Sequence, residues 1–107
     1  MKTSRRSRAR VELLALLLAV AGPLGALAAD PSAGRLVAAT CANCHGTDGR
    51  SRGDIPGLAG RDKGELVRLV RDFRDGKRQS TVMQQLAKGY SDAEIEAAAA
   101  YFAAQKN

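Results

Sequence analysis

An all-α fold is predicted by three observations on this 107-residue chain. Apolar residues recur at helical spacing in three segments, and each segment opens on a residue suited to capping a helix. No stretch alternates polar with apolar residues, or gathers β-branched ones, as strands do. No internal repeat or low-complexity linker interrupts the pattern.

Ahead of those segments stands an export signal. Lys2, Arg5, Arg6, Arg8 and Arg10 form a charged start, Leu13 to Ala21 is unbroken apolar sequence, and Gly22-Pro23 ends it. Ala26-Leu27-Ala28 then supplies small residues at the spacing of a cleavage site. The apolar run is shorter than the roughly 20 residues a spanning helix needs, so removal is expected rather than anchoring. Residues 1–28 are therefore read as a leader and residues 29–107 as one small domain. The formal charge of +6 and pI near 9.9 follow largely from the leader, which holds five Lys/Arg and one Glu. Twelve basic and ten acidic residues remain beyond it, a balance that excludes a nucleic-acid binder.

The first helix is expected from Asp30-Pro31, a cap followed by a proline suited to the first turn. Ala33, Leu36, Val37 and Thr40 fall at i, i+3, i+4 and i+7 and define its expected apolar face. A glycine-rich loop follows from Gly46 to Gly60. Asp62 caps the middle helix, with Glu65 placed to reach back, Leu66, Val67, Leu69, Val70 and Phe73 on its face, and Gly76 as its stop. On its wet side, Arg68 with Asp72 and Arg71 with Asp75 form i,i+4 pairs. The last helix opens on the capping box Ser91-Asp92-Ala93-Glu94, flanked by Tyr90 and Ile95 as a hydrophobic staple. Ile95, Ala98, Ala99 and Phe102 form its buried face.

At the end of the first helix stands Cys41-Ala42-Asn43-Cys44-His45. C-x-x-C-H is the attachment signature of a c-type haem. Two thiols add across the porphyrin vinyl groups, and the adjacent His45 can bind iron from one side. Competing uses of the cysteine pair fail on inventory. A thioredoxin-like site needs βαβ strands that are absent. A structural zinc needs four ligands where two Cys and one His offer three. A structural disulfide is the remaining alternative, and the export signal favours haem over it.

Because His45 is the only histidine, a second histidine ligand within the chain is impossible. Met83 is the only methionine beyond the leader, in the loop Arg78–Met83 ahead of the last helix, and is the expected distal ligand. A gap-filling core methionine, a lysine ligand such as Lys88 and a five-coordinate iron are the alternatives.

C-A-N-C-H, then I-P-G-L-A-G, a loop methionine and a capped terminal helix ending A-Y-F together resemble the class I c-type cytochromes, over residues 32 to 104. The resemblance implies a small fold of three or more helices wrapped around one covalent haem c. It implies that Pro56 and Leu58 form the element whose proline carbonyl accepts a hydrogen bond from the proximal histidine. A second-shell acceptor of that kind orients a ligating imidazole and makes it more basic. It further implies a crossing of the first and last helices at a small residue against an aromatic one, with Gly34 and Tyr101 the best candidates and Ala33 close by. Within the family, Thr81–Ile95 is similar to the haem subunits of flavocytochrome c sulfide dehydrogenases, which implies a flavoprotein partner. The flavin would sit on another polypeptide, since Gly46, Gly49, Gly53, Gly57 and Gly60 form no nucleotide fingerprint.

The expected function is one-electron transfer in the periplasm, without catalysis at the iron and without stable membrane insertion after cleavage. The partner is a redox protein, either a flavoprotein dehydrogenase or the complexes between which a free carrier shuttles. An open-site sensor or enzyme is the third alternative. Arg50, Arg52, Arg61, Lys77, Arg78 and Lys88 lie in segments expected to border the exposed porphyrin edge.

Overall fold

A computed structural model describes Gly22 and residues 30–107, so the expected leader lies outside the described residues apart from Gly22. Four α-helices follow in order, α1 Pro31–His45, α2 Lys63–Arg74, α3 Met83–Ala87 and α4 Asp92–Ala103, with a 3-10 turn at Thr47–Gly49. Among the described residues there is no strand, and no helix is long and apolar enough to cross a membrane.

The Asp30 side chain accepts from the Ser32 N–H at 2.9 Å and Pro31 opens α1, as its sequence signature requires. The buried face of α1 departs from the expected one. Gly34 and Ala38 are buried, while Ala33 and Thr40 are exposed and Leu36 is 70% exposed. Spacing alone favours the larger side chains, but α1 packs closely on α4, and close approach admits only small ones. A Cβ at residue 34 would lie 2.5 Å from the carbonyl oxygen of Ala97. The atoms nearest to that position belong to Ala97, and the Tyr101 hydroxyl donates to the Asp48 carboxylate at 2.5 Å.

Asp62 caps α2 by accepting from the Glu65 N–H at 2.8 Å. The Glu65 carboxylate pairs with Arg61 instead of reaching back to the cap. Arg68 and Asp72 form the expected pair at 3.2 Å. Arg71 does not pair with Asp75; it crosses to α4, meeting Asp92 at 3.2 Å and Glu96 at 2.9 Å. A long guanidinium at the α2–α4 boundary finds two carboxylates there, which outbids one neighbour on its own helix.

Helix α3 was not anticipated, and Met83, expected in the loop, is its first residue. Five residues are too few for a helical period to register in sequence. Ser80 supports its start by accepting from the Gln84 N–H at 2.9 Å. Helix α4 has the complete capping box, with Ser91 Oγ accepting from the Glu94 N–H at 3.2 Å and the Glu94 carboxylate accepting from the Ser91 N–H at 2.8 Å. Ile95, Ala98, Ala99 and Phe102 are all buried, as their spacing predicts. Ile95, Ala99 and Phe102 join Ala38, Leu66 and Val67 in one core, against which Cys41, Leu58, Val70, Tyr90 and Tyr101 pack half-buried.

Candidate functional site

A cavity of about 650 Å³ opens beside this core. Val37, Thr40, Cys41 and Cys44, at i, i+3, i+4 and i+7, put one stripe of α1 on its wall. Part of the face expected to be core thus turns toward the cavity. Leu66, Leu69, Val70 and Phe73 contribute from α2, Ile95, Ala99 and Phe102 from α4, and Met83, Leu86 and Ala87 from α3. The lining is mostly apolar, as a flat hydrophobic ligand requires.

All six residues singled out from sequence, Cys41, Cys44, His45, Pro56, Leu58 and Met83, line this one cavity. The two cysteines stand one helical turn apart on α1 and form no disulfide with each other. Cys41 is half-buried, and that burial pushes its thiol pKa up, whereas Cys44 is exposed. His45 ends α1, and Gly46 turns the chain away with φ +86°. A side chain at Gly46 would collide with the Arg50 carbonyl, so the turn demands glycine there.

The loop after that turn returns Pro56 to His45, whose Nδ1 lies 2.7 Å from the Pro56 carbonyl oxygen. A carbonyl only accepts, so Nδ1 carries the proton, which in the neutral imidazole leaves the lone pair on Nε2. The imidazole therefore has the tautomer a metal ligand needs, held by the kind of acceptor that raises its basicity.

Of the six basic residues expected at the edge, Arg61 and Arg78 line the cavity. Arg61 is paired with Glu65, whereas Arg78 lies over the Phe73 ring at 5.3 Å and has no carboxylate partner among the described residues. Two contributors escaped the sequence reading. Thr40 Oγ1 and Tyr90 Oη are 2.6 Å apart and both line the cavity, a pairing across 50 residues that no local pattern announces. The residues present fit a haem c: two thiols at helical spacing, a lone-pair nitrogen, a thioether and apolar walls meet at one cavity.

Comparison with known proteins agrees. The family model described as "Cytochrome C oxidase, cbb3-type, subunit III" matches residues 28–102. The chain is 41% identical over 87 residues to the cytochrome subunit of sulfide dehydrogenase from Chlorobaculum tepidum, covering 78% of this chain and 79% of that one. It is 41% identical over 98 residues to cytochrome c4 of Pseudomonas aeruginosa, covering 89% of this chain but only 49% of that protein, so it spans about half the relative's length. A solved structure of cytochrome c4 from Acidithiobacillus ferrooxidans superposes with a TM-score of 0.66 at 29% identity, over 89% of this chain and 63% of that one. With its all-helical fold and its C-x-x-C-H segment, the chain belongs to the cytochrome c family, as a class I c-type cytochrome that carries one haem c and transfers electrons.

Proposed function

We propose that this cytochrome works in the periplasm after removal of residues 1–28, with residues 29–107 as its haem domain. In this reading Cys41 and Cys44 form the thioethers, His45 is the proximal ligand through Nε2 and Met83 is the distal ligand. The convergence of these four side chains on one apolar cavity carries the reading. When bound, the haem supplies a one-electron Fe(III)/Fe(II) couple.

The chain's residues set the terms of that couple. Pro56 fixes the His45 tautomer and strengthens the imidazole as a donor. The Met83 thioether favours reduced iron and raises the potential, while filling the position at which a substrate would otherwise bind. The apolar walls from α2 and α4 would keep water away from a bound porphyrin. Of the two arginines lining the cavity, Arg78 has no carboxylate partner among the described residues and is available to the porphyrin carboxylates.

Met83→Ala tests the distal assignment. The reduced variant is expected to bind carbon monoxide at neutral pH, which the parent resists, and to have a lower potential. A variant with the parental spectrum, potential and resistance would overturn the Met83 role.

The electron donor in this reading is a flavoprotein subunit, supported by the similarity to a sulfide dehydrogenase cytochrome subunit over 79% of that protein's length. Native mass of the protein purified from its own host decides the matter. A co-purifying, flavin-containing chain of several times its mass supports the fixed subunit. A lone 79-residue haem protein identifies a freely diffusing carrier instead.

A further inference from the structure

The hydrogen bond from His45 to Pro56 depends on a loop that has little else to hold its tip. Residues 52–57 are all exposed. The one hydrogen bond from this stretch to the protein beyond the loop is the one that Pro56 accepts from His45, since Gly53 donates only to Ser51 within it. The stems are held differently. The Gly49 carbonyl accepts from the Leu58 N–H at 2.8 Å and the Ala59 N–H at 3.2 Å, closing the loop at its base. The Asp48 carboxylate accepts from the Tyr101 hydroxyl at 2.5 Å, and the Gly60 N–H donates to the Phe102 carbonyl at 2.9 Å. Two consecutive residues of α4 therefore grip both stems, one through a side chain and the other through its backbone. Arg50 adds to the first grip, reaching the Asp48 carboxylate at 3.3 Å and the Lys106 carbonyl at 2.8 Å.

We propose that the Asp48–Tyr101 pair is a positioning brace for the proximal histidine, holding the loop so that the Pro56 carbonyl stays on His45 Nδ1. Neither residue lines the cavity, so the pair acts through the loop and not by touching haem. Asp48 has φ +54°, a conformation in which Asp and Asn are favoured among residues other than glycine, and this aims its carboxylate at α4. With the brace loosened, the carbonyl leaves Nδ1 for part of the time. The imidazole then becomes a poorer donor, and the oxidised iron loses more stabilisation than the reduced iron. The inference rests on His45 as the proximal ligand.

Tyr101→Phe removes the hydroxyl and keeps the ring that packs edge-on against Phe102. In the reduced, haem-loaded variant, the His45 Nδ1–H followed by NMR is expected to exchange with solvent about tenfold faster, a factor equivalent to about 1.4 kcal/mol. The midpoint potential is expected to rise, while slowly exchanging amides in α2 keep their parental rates. Asp48→Asn, which tolerates the same backbone and retains an acceptor, is expected to show a smaller shift in the same direction. Should Tyr101→Phe speed exchange of all slow amides equally, or leave the ring proton and the potential unchanged, the brace is overturned and the Tyr101 role is packing alone. A parental protein whose His45 ring signals show no shift from haem would overturn the ligand assignment itself, and the brace with it.

Discussion

Where α1 crosses α4, Gly34 lies against the Ala97 backbone, and Ala38, Ala99 and Phe102 are 2%, 4% and 3% exposed. Around the cavity, Ile55, Val82 and Leu86 stand 42%, 55% and 51% exposed. At the crossing Gly34, Ala38 and Ala99 are small enough for two backbones to meet, so the chain seals it unaided. The cavity shares its inner wall with the core through Leu66, Ile95 and Phe102, while its rim is made of larger apolar side chains, Ile55, Val82 and Leu86, that stay exposed. A domain of this size has little apolar surface to bury, and a covalently attached porphyrin adds a large flat element to its core. The two regions share helices but divide the work: one holds the fold and the other receives the cofactor.

Phe102 belongs to both, joining the core and lining the cavity. Phe102→Ala is expected to have the largest effect, about 3–5 kcal/mol in urea unfolding of the haem-loaded protein, as truncation of a buried aromatic does. It should also alter the haem absorption spectrum. A loss in only one of these readouts would mean that Phe102 serves a single region. Gly34→Ala sharpens the comparison from the other side. Its methyl would press on the Ala97 carbonyl, with an expected cost of about 1–3 kcal/mol from overpacking. Spectrum and potential should stay parental, and a change in either would show that the crossing and the cavity are not independent.

Much of the division was legible in the residues. Ser91 with Glu94, Asp62 and Asp30 announced their helix starts through short-range chemistry, and the structure forms each cap. Cys41, Cys44, His45, Pro56, Leu58 and Met83 were named by motif, inventory and family resemblance, and all reach one cavity. What escaped is long-range. Leu36 fits a helical stripe as well as Ala38 does, and only the closeness of α4 decides between them. Arg71 has Asp75 at the right spacing but meets Asp92 and Glu96, which only the fold brings near. The Asp48–Tyr101 contact spans 53 residues and carries no sequence signature.

A smaller effect should appear at alkaline pH, at the junction of the two regions. The hydrogen bond from Tyr101 to Asp48 holds the phenol's pKa above its ordinary range, because the neutral hydroxyl is the partner of the carboxylate. The stabilisation is therefore complete below the ordinary phenol pKa and disappears as pH rises through the raised one. Urea midpoints of parent and Tyr101→Phe should differ at neutral pH and converge at strongly alkaline pH. A gap that persists there would mean that the hydroxyl contributes nothing through this bond.

The smallest expected effect lies on the side of α4 away from this junction, in the ion pairs that join α2 to α4. Arg74, then Arg71, hold the Asp92 carboxyl below the ordinary carboxylate range through direct hydrogen bonds, at 2.8 Å and 3.2 Å. A depressed carboxyl stabilises the fold fully above its unfolded pKa and ceases to do so as pH falls through the folded one. The group is exposed, so salt should weaken the contribution further. Asp92→Asn should thus be slightly less stable than the parent at neutral pH and low salt, and the gap should close both in acid and in concentrated salt. Neither the haem spectrum nor the potential should move, because no cavity residue takes part in the network. A potential shift in Asp92→Asn would break the comparison, since the packing of α2 on α4 would then govern the cofactor as well as the fold.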